Sequence, residues 1–464
     1  MTNWTPDIST IGGPRYRAIA DALARDISDR VLPPGTRLPT HRDLAYKLGV
    51  TVGTVTRAYA EAERRGLIEG EVGRGTYVRD QESGNRSAIR YSRSSTGALV
   101  ELGINVSSAP GVADSLKQML QEVTAQADLN QLMDYSNNTL PPAHMNAAAN
   151  WLERRFNLPR RPDWIRMTNG AQHALLTAFL TLCRPGDLVA TETLTYSGMR
   201  HLANTLGLRL EGLAYDDDGL IPEALDACCR QRAPRVLYTV PTLHNPTTAI
   251  LPEARRIEIA SICRRYGVQI IEDDVFGFLP DEQLPRLATL APDITLYITS
   301  LSKCIATGFR VGYIVGAPGL VERVDSAMLV SQSMGSLVMS ELATRLIDSG
   351  EADKLADRQK EEAAARQEIA TDLLAGFDYL TKPKAQHLWL RLPLPWRREE
   401  FVSEARRRGV SVTPADYFTV GHAPSEQSVR VSLSQPQSRE QVETGLRIIA
   451  DILAGQATLF KAVI

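Results

Sequence analysis

Residues 80–97, reading D-Q-E-S-G-N-R-S-A-I-R-Y-S-R-S-S-T-G, are polar, serine-rich and almost without side chains that could build a core. A chain interrupted in this way cannot continue one domain across the break. The two sides also differ in texture. Before the break come short helical periods and a glycine-rich hairpin, whereas from about residue 165 apolar runs alternate with helical segments. A module over 1–79, a linker over 80–98 and a larger module over 99–464 are therefore expected, and a length of 464 residues at 43 % hydrophobic content agrees with more than one core. Arg86, Arg90 and Arg93 make the linker mildly basic, which a solvated tether explains.

The charge balance, 52 basic against 54 acidic side chains, excludes a polycation but not a local basic face. Cys183, Cys228, Cys229, Cys263 and Cys304 show neither CxxC spacing nor a disulfide framework. They read as buried fillers in a reducing compartment, and no metal site is expected. The start, Met-Thr-Asn-Trp-Thr-Pro-Asp, lacks a basic region followed by an apolar one, and no run reaches the roughly 18 apolar residues of a membrane span. A soluble cytoplasmic protein without membrane association is the expectation.

In the first module, Tyr16, Ile19, Ala20, Leu23 and Ile27 recur every three or four residues, the stripe of an amphipathic helix over Arg15 to Arg30. Thr40 is placed to cap a short helix that Gly49 closes, because a left-handed residue is needed there. After the tight turn 49–51, a helix from Val52 to about Arg65 turns Val55, Ala58, Tyr59 and Ala62 inward. That leaves Thr51, Gly53, Thr54, Thr56 and Arg57 at its exposed start. Leu67 to Gly70 and Val72 to Val78 read as two strands about a glycine-rich tip bearing Arg74 and Gly75, a wing.

P-G-T-R-L-P-T-H-R-D-L-A, G-V-T-V-G-T-V-T-R-A-Y and G-R-G-T-Y-V together resemble the GntR winged helix-turn-helix over Arg15 to Val78. The resemblance implies that Arg42 touches double-stranded operator DNA, that Thr51 to Arg57 enter the major groove, and that Arg74 and Gly75 meet the minor groove or backbone. Arginine and threonine suit phosphate and base-edge contacts. Residues 1–80 carry 12 basic against 10 acidic side chains. Charge alone therefore does not separate DNA binding from a protein-contact module; the ordered motif does.

In the second module, Leu188 to Glu192, Arg209 to Ala214, Arg235 to Val240, Gln269 to Glu272, Thr295 to Ile298 and Val311 to Val315 are candidate strands. Their alternation with helices implies an α/β fold with a mainly parallel sheet covered on both faces and ligands at the strands' carboxyl ends. There, S-L-S-K at Ser300 to Lys303, with Arg310 seven residues on, sets an amine able to form a Schiff base among two hydroxyls (Ser300, Ser302) and a guanidinium suited to a phosphate. These are parts for holding pyridoxal 5′-phosphate. Asp273 closes an apolar strand and can keep a pyridine nitrogen protonated; Asn245 can donate to a phenolic oxygen. Backbone N–H groups at Ala171 and Gln172, where a helix begins, can take the phosphate, and Tyr196 can stack on the ring. Each alone has a plain structural reading: a turn, a solvated strand end, a packed aromatic or a surface charge.

In one order, N-G-A-Q, T-Y-S-G, N-P-T, E-D-D, S-L-S-K and R resemble the fold-type I aminotransferases over Leu102 to Ala454, with a smaller C-terminal α+β part. The resemblance implies the cofactor roles of Asn245, Asp273, Lys303, Ser300, Ser302 and Arg310, with Lys303 catalytic. It also implies that Tyr135 reaches the neighbouring subunit's phosphate and that Arg430 clamps a substrate α-carboxylate. Fusion of the two modules resembles the MocR branch of GntR regulators, which implies a head-to-tail homodimer.

Three departures stand out. Where aminotransferases carry a tyrosine two or three places after the strand-end acid, Asp273 is followed by Asp274-Val275-Phe276-Gly277, and Phe276 cannot donate a hydrogen bond. N-P-T-G is here Asn245-Pro246-Thr247-Thr248, and Ala171 stands where a small hydroxyl residue is common. The expected function is a regulator that senses an amine or amino acid, or pyridoxal phosphate itself, through Lys303. The alternative is a working aminotransferase with an appended DNA-binding module.

Overall fold

The computed structural model describes residues 4–6, 14–28, 31–33, 36–64, 67–71, 75–78, 99–108, 110–133, 141–332, 334–421 and 426–461. Contacts divide the chain into two compact units, Met1–Gly97 and Ala98–Ile464.

The first unit holds helices α1 (Arg15–Ser28), α2 (His41–Leu48) and α3 (Val52–Arg64) and an antiparallel hairpin of β1 (Ile68–Glu71) and β2 (Gly75–Val78), with Ile68 opposite Val78. Thr40 caps α2 by accepting from the Asp43 amide at 3.2 Å, and Gly49 ends it at φ 60°. Ile19, Leu23, Leu44, Val55, Ala58, Tyr59 and Ala62 share one core, so the inward stripes of α1 and α3 are those that the periodicity marks. The Tyr59 hydroxyl reaches the Pro39 carbonyl at 2.9 Å, which ties α3 to the segment entering α2.

In the second unit seven strands form the main sheet: β3 (Ile165–Thr168), β4 (Leu188–Glu192), β5 (Arg209–Leu213), β6 (Val236–Thr239), β7 (Gln269–Asp273), β8 (Thr295–Ser300) and β9 (Gly312–Val315). Their spatial order is β3-β9-β8-β7-β6-β4-β5, and only β9 runs against the others. Both faces are buried, as a sheet wrapped by crossover helices requires. On β8, Leu296 and Ile298 join one hydrophobic core and Tyr297 the opposite one; on β9, Ile314 and Tyr313 divide the same way. A smaller antiparallel sheet lies toward the C-terminus: β10 (Tyr379–Leu380), β11 (His387–Arg391), β12 (Thr413–Pro414) and β13 (Ser428–Ser432), in the order β10-β11-β13-β12. It has its own core of Leu388, Leu390, Val429, Val431, Phe401 and Leu446. Among the described residues no helix is long and apolar enough to cross a membrane.

Candidate functional site

The C-terminal ends of β7 and β8 and the turn after β8 set the centre of the site. Along β7 the strand's alternation sorts the three consecutive acids. Glu272 accepts from the backbone N–H groups of Leu287 and Ala288 at 3.0 and 2.8 Å, with Arg256 3.9 Å away. Asp274 pairs with Arg286 at 2.6 Å and accepts from the Tyr297 hydroxyl at 2.9 Å. Asp273, which makes no ion pair among the described residues, keeps capacity for a ligand. Its Oδ2 accepts from the Tyr238 hydroxyl at 2.8 Å, while Oδ1 is buried without a partner. The reading of Asp273 and Asp274 as a solvated strand end fails here, since both are buried. Burial pushes the Asp273 carboxyl up to about 6, against the Tyr238 hydrogen bond.

Lys303 follows β8 by three residues, and its Nζ donates to the Asn105 carbonyl at 2.5 Å. Desolvation, with the Arg430 and Arg310 charges added, brings the amine down to about 8. Ser302, buried beside it, has an Oγ without a partner. Arg310, held at φ 51°, donates to the Asn169 carbonyl at 3.2 Å. A Cβ at position 170 would lie 2.8 Å from its Nη2, so glycine there lets the guanidinium rest on the start of helix α4 (Ala171–Leu182). The N-cap Gly170 offers no side-chain acceptor, which leaves the first N–H groups at Ala171 and Gln172 for an anion. Ser300 ends β8 opposite Gly312, buried, two residues from Ser302. The Tyr196 hydroxyl reaches Gln172 Oε1 at 3.1 Å, which holds the aromatic ring beside the same helix start.

Arg430, on β13, donates from Nη1 to Asn245 Oδ1 at 2.7 Å and from Nη2 to the Gly103 carbonyl at 2.5 Å. Its carbon Cζ lies 4.8 Å from the Phe418 ring centre, and its Nε has no partner. Among the described residues no carboxylate lies within ion-pair distance of it. Burial brings the guanidinium down to about 10, which leaves it cationic at neutral pH. With its oxygen held by Arg430, the Asn245 amide presents its nitrogen as a donor.

Three contributors escape sequence reasoning. Tyr238, on β6, pairs in register with Ile271 and so stands beside the end of β7; its place in an apolar run conceals it. Asn105 and His387 form a buried pair, Nδ2 to Nδ1 at 2.9 Å, and the far nitrogen of His387 faces the His244 carbonyl at 3.4 Å. No local motif marks either. Phe276 is buried in the turn after β7, its ring centre 5.9 Å from that of His387. Tyr135 and Arg74 lie outside the described residues, while Gly75 opens β2.

On the first unit, Arg42 is exposed on α2, and Thr51, Gly53, Thr56 and Arg57 are exposed about the start of α3, with Thr54 half-buried. Thr51 caps that helix, accepting from the Thr54 amide at 3.2 Å.

An orphaned buried carboxylate oxygen, an orphaned serine hydroxyl, a lowered amine, an aromatic ring and a helix start flanked by arginine fit pyridoxal 5′-phosphate in charge and in donor set. Fold and site together define a fold-type I aminotransferase-like domain carried behind a winged helix-turn-helix. Residues 98–449 match the family model of aminotransferase class I and II, and residues 15–78 that of bacterial regulatory proteins, gntR family. The HTH-type transcriptional regulator YdeF of Bacillus subtilis is 30% identical over 97% of this chain and 97% of its own length. YjiR of Escherichia coli, also an HTH-type transcriptional regulator, is 29% identical over 66% of this chain and 69% of its own. The chain belongs to the MocR-type regulators, a gntR-family DNA-binding module joined to an aminotransferase class I and II domain. Among solved structures, the kynurenine aminotransferase of Pyrococcus horikoshii superposes with a TM-score of 0.72 at 21% identity, covering 78% of this chain and 92% of that one. LysN of Thermus thermophilus, an α-aminoadipate aminotransferase, superposes at 0.71 and 21%, covering 86% and 99%.

Proposed function

We propose that this regulator reads an amine or amino acid through pyridoxal 5′-phosphate held on Lys303 and converts its binding into a change in DNA affinity. Residues 1–79 are the DNA-binding domain, 80–98 the linker and 99–464 the effector domain. One observation carries the coupling. The segment directly after the linker supplies the Gly103 carbonyl to Arg430 and the Asn105 carbonyl to Lys303. Those are the two cations that an effector carboxylate and the cofactor would claim. A ligand that takes them must release the strap, so it binds two arrangements of that segment unequally, as any population shift requires.

Within the site, Asp273 holds a proton at the pyridine nitrogen, Asn245 donates to the phenolic oxygen, Tyr196 covers the ring, and Ser300, Ser302, Arg310 and the N–H groups at Ala171 and Gln172 take the phosphate. When bound, the cofactor supplies an aldehyde for amines and an electron sink. Arg430 orients the effector carboxylate. Exposed Leu120, Leu129 and Met133 support a homodimer, in which Tyr135 would serve the partner's site. A working aminotransferase is the second reading, favoured by the intact set of Lys303, Asp273 and Arg430. The absence of a donor at Phe276 weighs for the regulator.

The test is a parallel titration of the intact protein with a panel of amines and amino acids, following absorbance and the mobility of DNA from its own upstream region. One compound is expected to move both readouts in the parent and neither in Lys303→Ala. Spectral change without any change in DNA affinity, accompanied by sustained keto-acid release, would favour the enzyme.

A further inference from the structure

The threonines at the exposed start of α3 are poor in free donors and rich in methyl groups. Thr51 Oγ1 lies 2.9 Å from Thr54 Oγ1 and also accepts the Thr54 amide, and Thr56 Oγ1 donates to the Val52 carbonyl at 3.0 Å. Three threonines own three hydroxyl protons. One is used between Thr51 and Thr54, whichever donates, and one by Thr56 on the helix's own backbone. A single hydroxyl proton remains for a groove in which most base-edge groups are acceptors. The threonine methyls are not consumed in this way.

Val52 heads the same face. It is the first residue of α3, 45% exposed, and takes no part in the module's core. Its neighbour Gly53 stands inside a helix, where glycine is weaker than alanine. Among the described residues nothing demands it: a Cβ there would meet only Thr51 Oγ1, at 3.9 Å, an ordinary contact, and its φ is not in the left-handed region. A glycine with room around it, beside an exposed branched side chain, leaves the approach to Val52 clear for a surface outside the chain.

We infer that Val52 reads the 5-methyl groups of thymine in the major groove, so that the start of α3 selects A·T pairs by apolar contact rather than by hydrogen bonds. Arg57, five residues further along, is left to make the polar contacts. This inference rests on the DNA-binding reading above and adds to it a side chain and a base chemistry. Apolar contact with the thymine methyl is an established way of distinguishing that base, because cytosine, guanine and adenine present no such group.

The test uses the full-length protein with pyridoxal 5′-phosphate and duplexes selected by it from a random library. Each thymine of the selected sequence is then replaced by deoxyuridine, which removes the methyl and leaves every hydrogen-bonding group. One or two thymines per half-site are expected to lose about fourfold in affinity, the value of one buried methyl. The same replacement should cost Val52→Ala clearly less than the parent, since only the Cβ methyl remains, and Val52→Thr, which keeps one γ-methyl, an intermediate amount. Alanine favours the helix, so Val52→Ala retains the fold, and its binding to the uridine duplex, equal to the parent's, is the control. A uridine duplex bound as tightly as the thymidine one overturns the inference, as does an undiminished loss in Val52→Ala. Failure to enrich any duplex would instead remove the DNA-binding reading, and the inference with it.

Discussion

The Tyr238 hydroxyl donates to Oδ2 of Asp273 at 2.8 Å, with both side chains buried, and this leaves the other oxygen of the same carboxylate, Oδ1, without a partner. Tyr238 therefore holds the orientation of the acid and favours its ionised form. A hydrogen bond to the ionised form favours that form, opposing the burial that raises Asp273 to about 6.

Tyr238→Phe removes the donor without a change of volume elsewhere. The Asp273 carboxyl should rise further, and the anion that would pair with a protonated pyridine nitrogen becomes scarcer at neutral pH. A hydrogen bond to a charged group is worth roughly 1.5 to 3 kcal/mol, so cofactor retention should weaken about tenfold or more. Absorbance after dialysis against graded pyridoxal phosphate measures this, with far-ultraviolet circular dichroism unchanged. Retention equal to the parent's would remove Tyr238 from the site.

Arg430→Lys keeps a positive charge and loses the planar fork that reaches Asn245 and Gly103 at once. Effectors bearing a carboxylate should bind roughly 10 to 100-fold more weakly, since one charge-assisted hydrogen bond is lost. Amines without a carboxylate should bind as before. Spectral titration with an amino acid and its decarboxylated amine separates the two, and an equal loss for both would assign Arg430 to scaffolding.

Much of this was legible in the residues. All six candidate strands of the second module are strands, within a residue or two at the ends, because continuous apolar runs between helices leave a buried strand few alternatives. Lys303, Asp273 and Arg310 announce themselves by local spacing. Asn105 and His387 do not, since 282 residues separate them and only the small sheet's docking of β11 beside the strap brings them together. Tyr238 reads as one more apolar strand residue until the register with β7 is known.

Glu192 offers a prediction about stability. It ends β4, wholly buried, accepting from Thr239 and Thr191 hydroxyls at 2.5 and 3.2 Å, with His244 4.0 Å away. Burial pushes its carboxyl up to about 7 and holds the His244 imidazole down to about 4. An acid whose folded pKa is raised binds its proton more tightly in the native state. Its contribution is therefore best at low pH, falls as pH rises from the unfolded value near 4.5 through 7, and is constant above about 8. Glu192→Gln cannot titrate. Relative to the parent, it should gain up to about 3 kcal/mol between pH 5 and pH 8 in denaturant unfolding of the cofactor-free protein. A difference independent of pH would mean that Glu192 stays ionised throughout.

Phe276 separates regulator from enzyme. Its ring is buried in the turn after β7, 5.9 Å from His387, in the stretch where aminotransferases carry a tyrosine. Under the proposed reading a phenol there would donate to the cofactor's phenolic oxygen, a task that with phenylalanine would fall to Asn245. Lys303, with its amine brought down to about 8, remains suited to exchanging protons and partners near neutrality. Effector capture should thus survive better than turnover, and the parent should change spectrum and DNA affinity while releasing keto acid slowly. Phe276→Tyr restores the donor. Each 1.4 kcal/mol recovered corresponds to a tenfold rate, and one hydrogen bond to a charged group supplies about that much. Keto-acid release by Phe276→Tyr should rise about tenfold under saturating amino acid. The added hydroxyl, if it finds no partner in the cofactor-free protein, should cost about 1 to 3 kcal/mol of stability there and less once cofactor is bound. A parent that already turns over as fast as Phe276→Tyr, with DNA affinity indifferent to the same amino acid, would mean that the missing phenol does not restrain the chemistry, and the domain would stand as an enzyme.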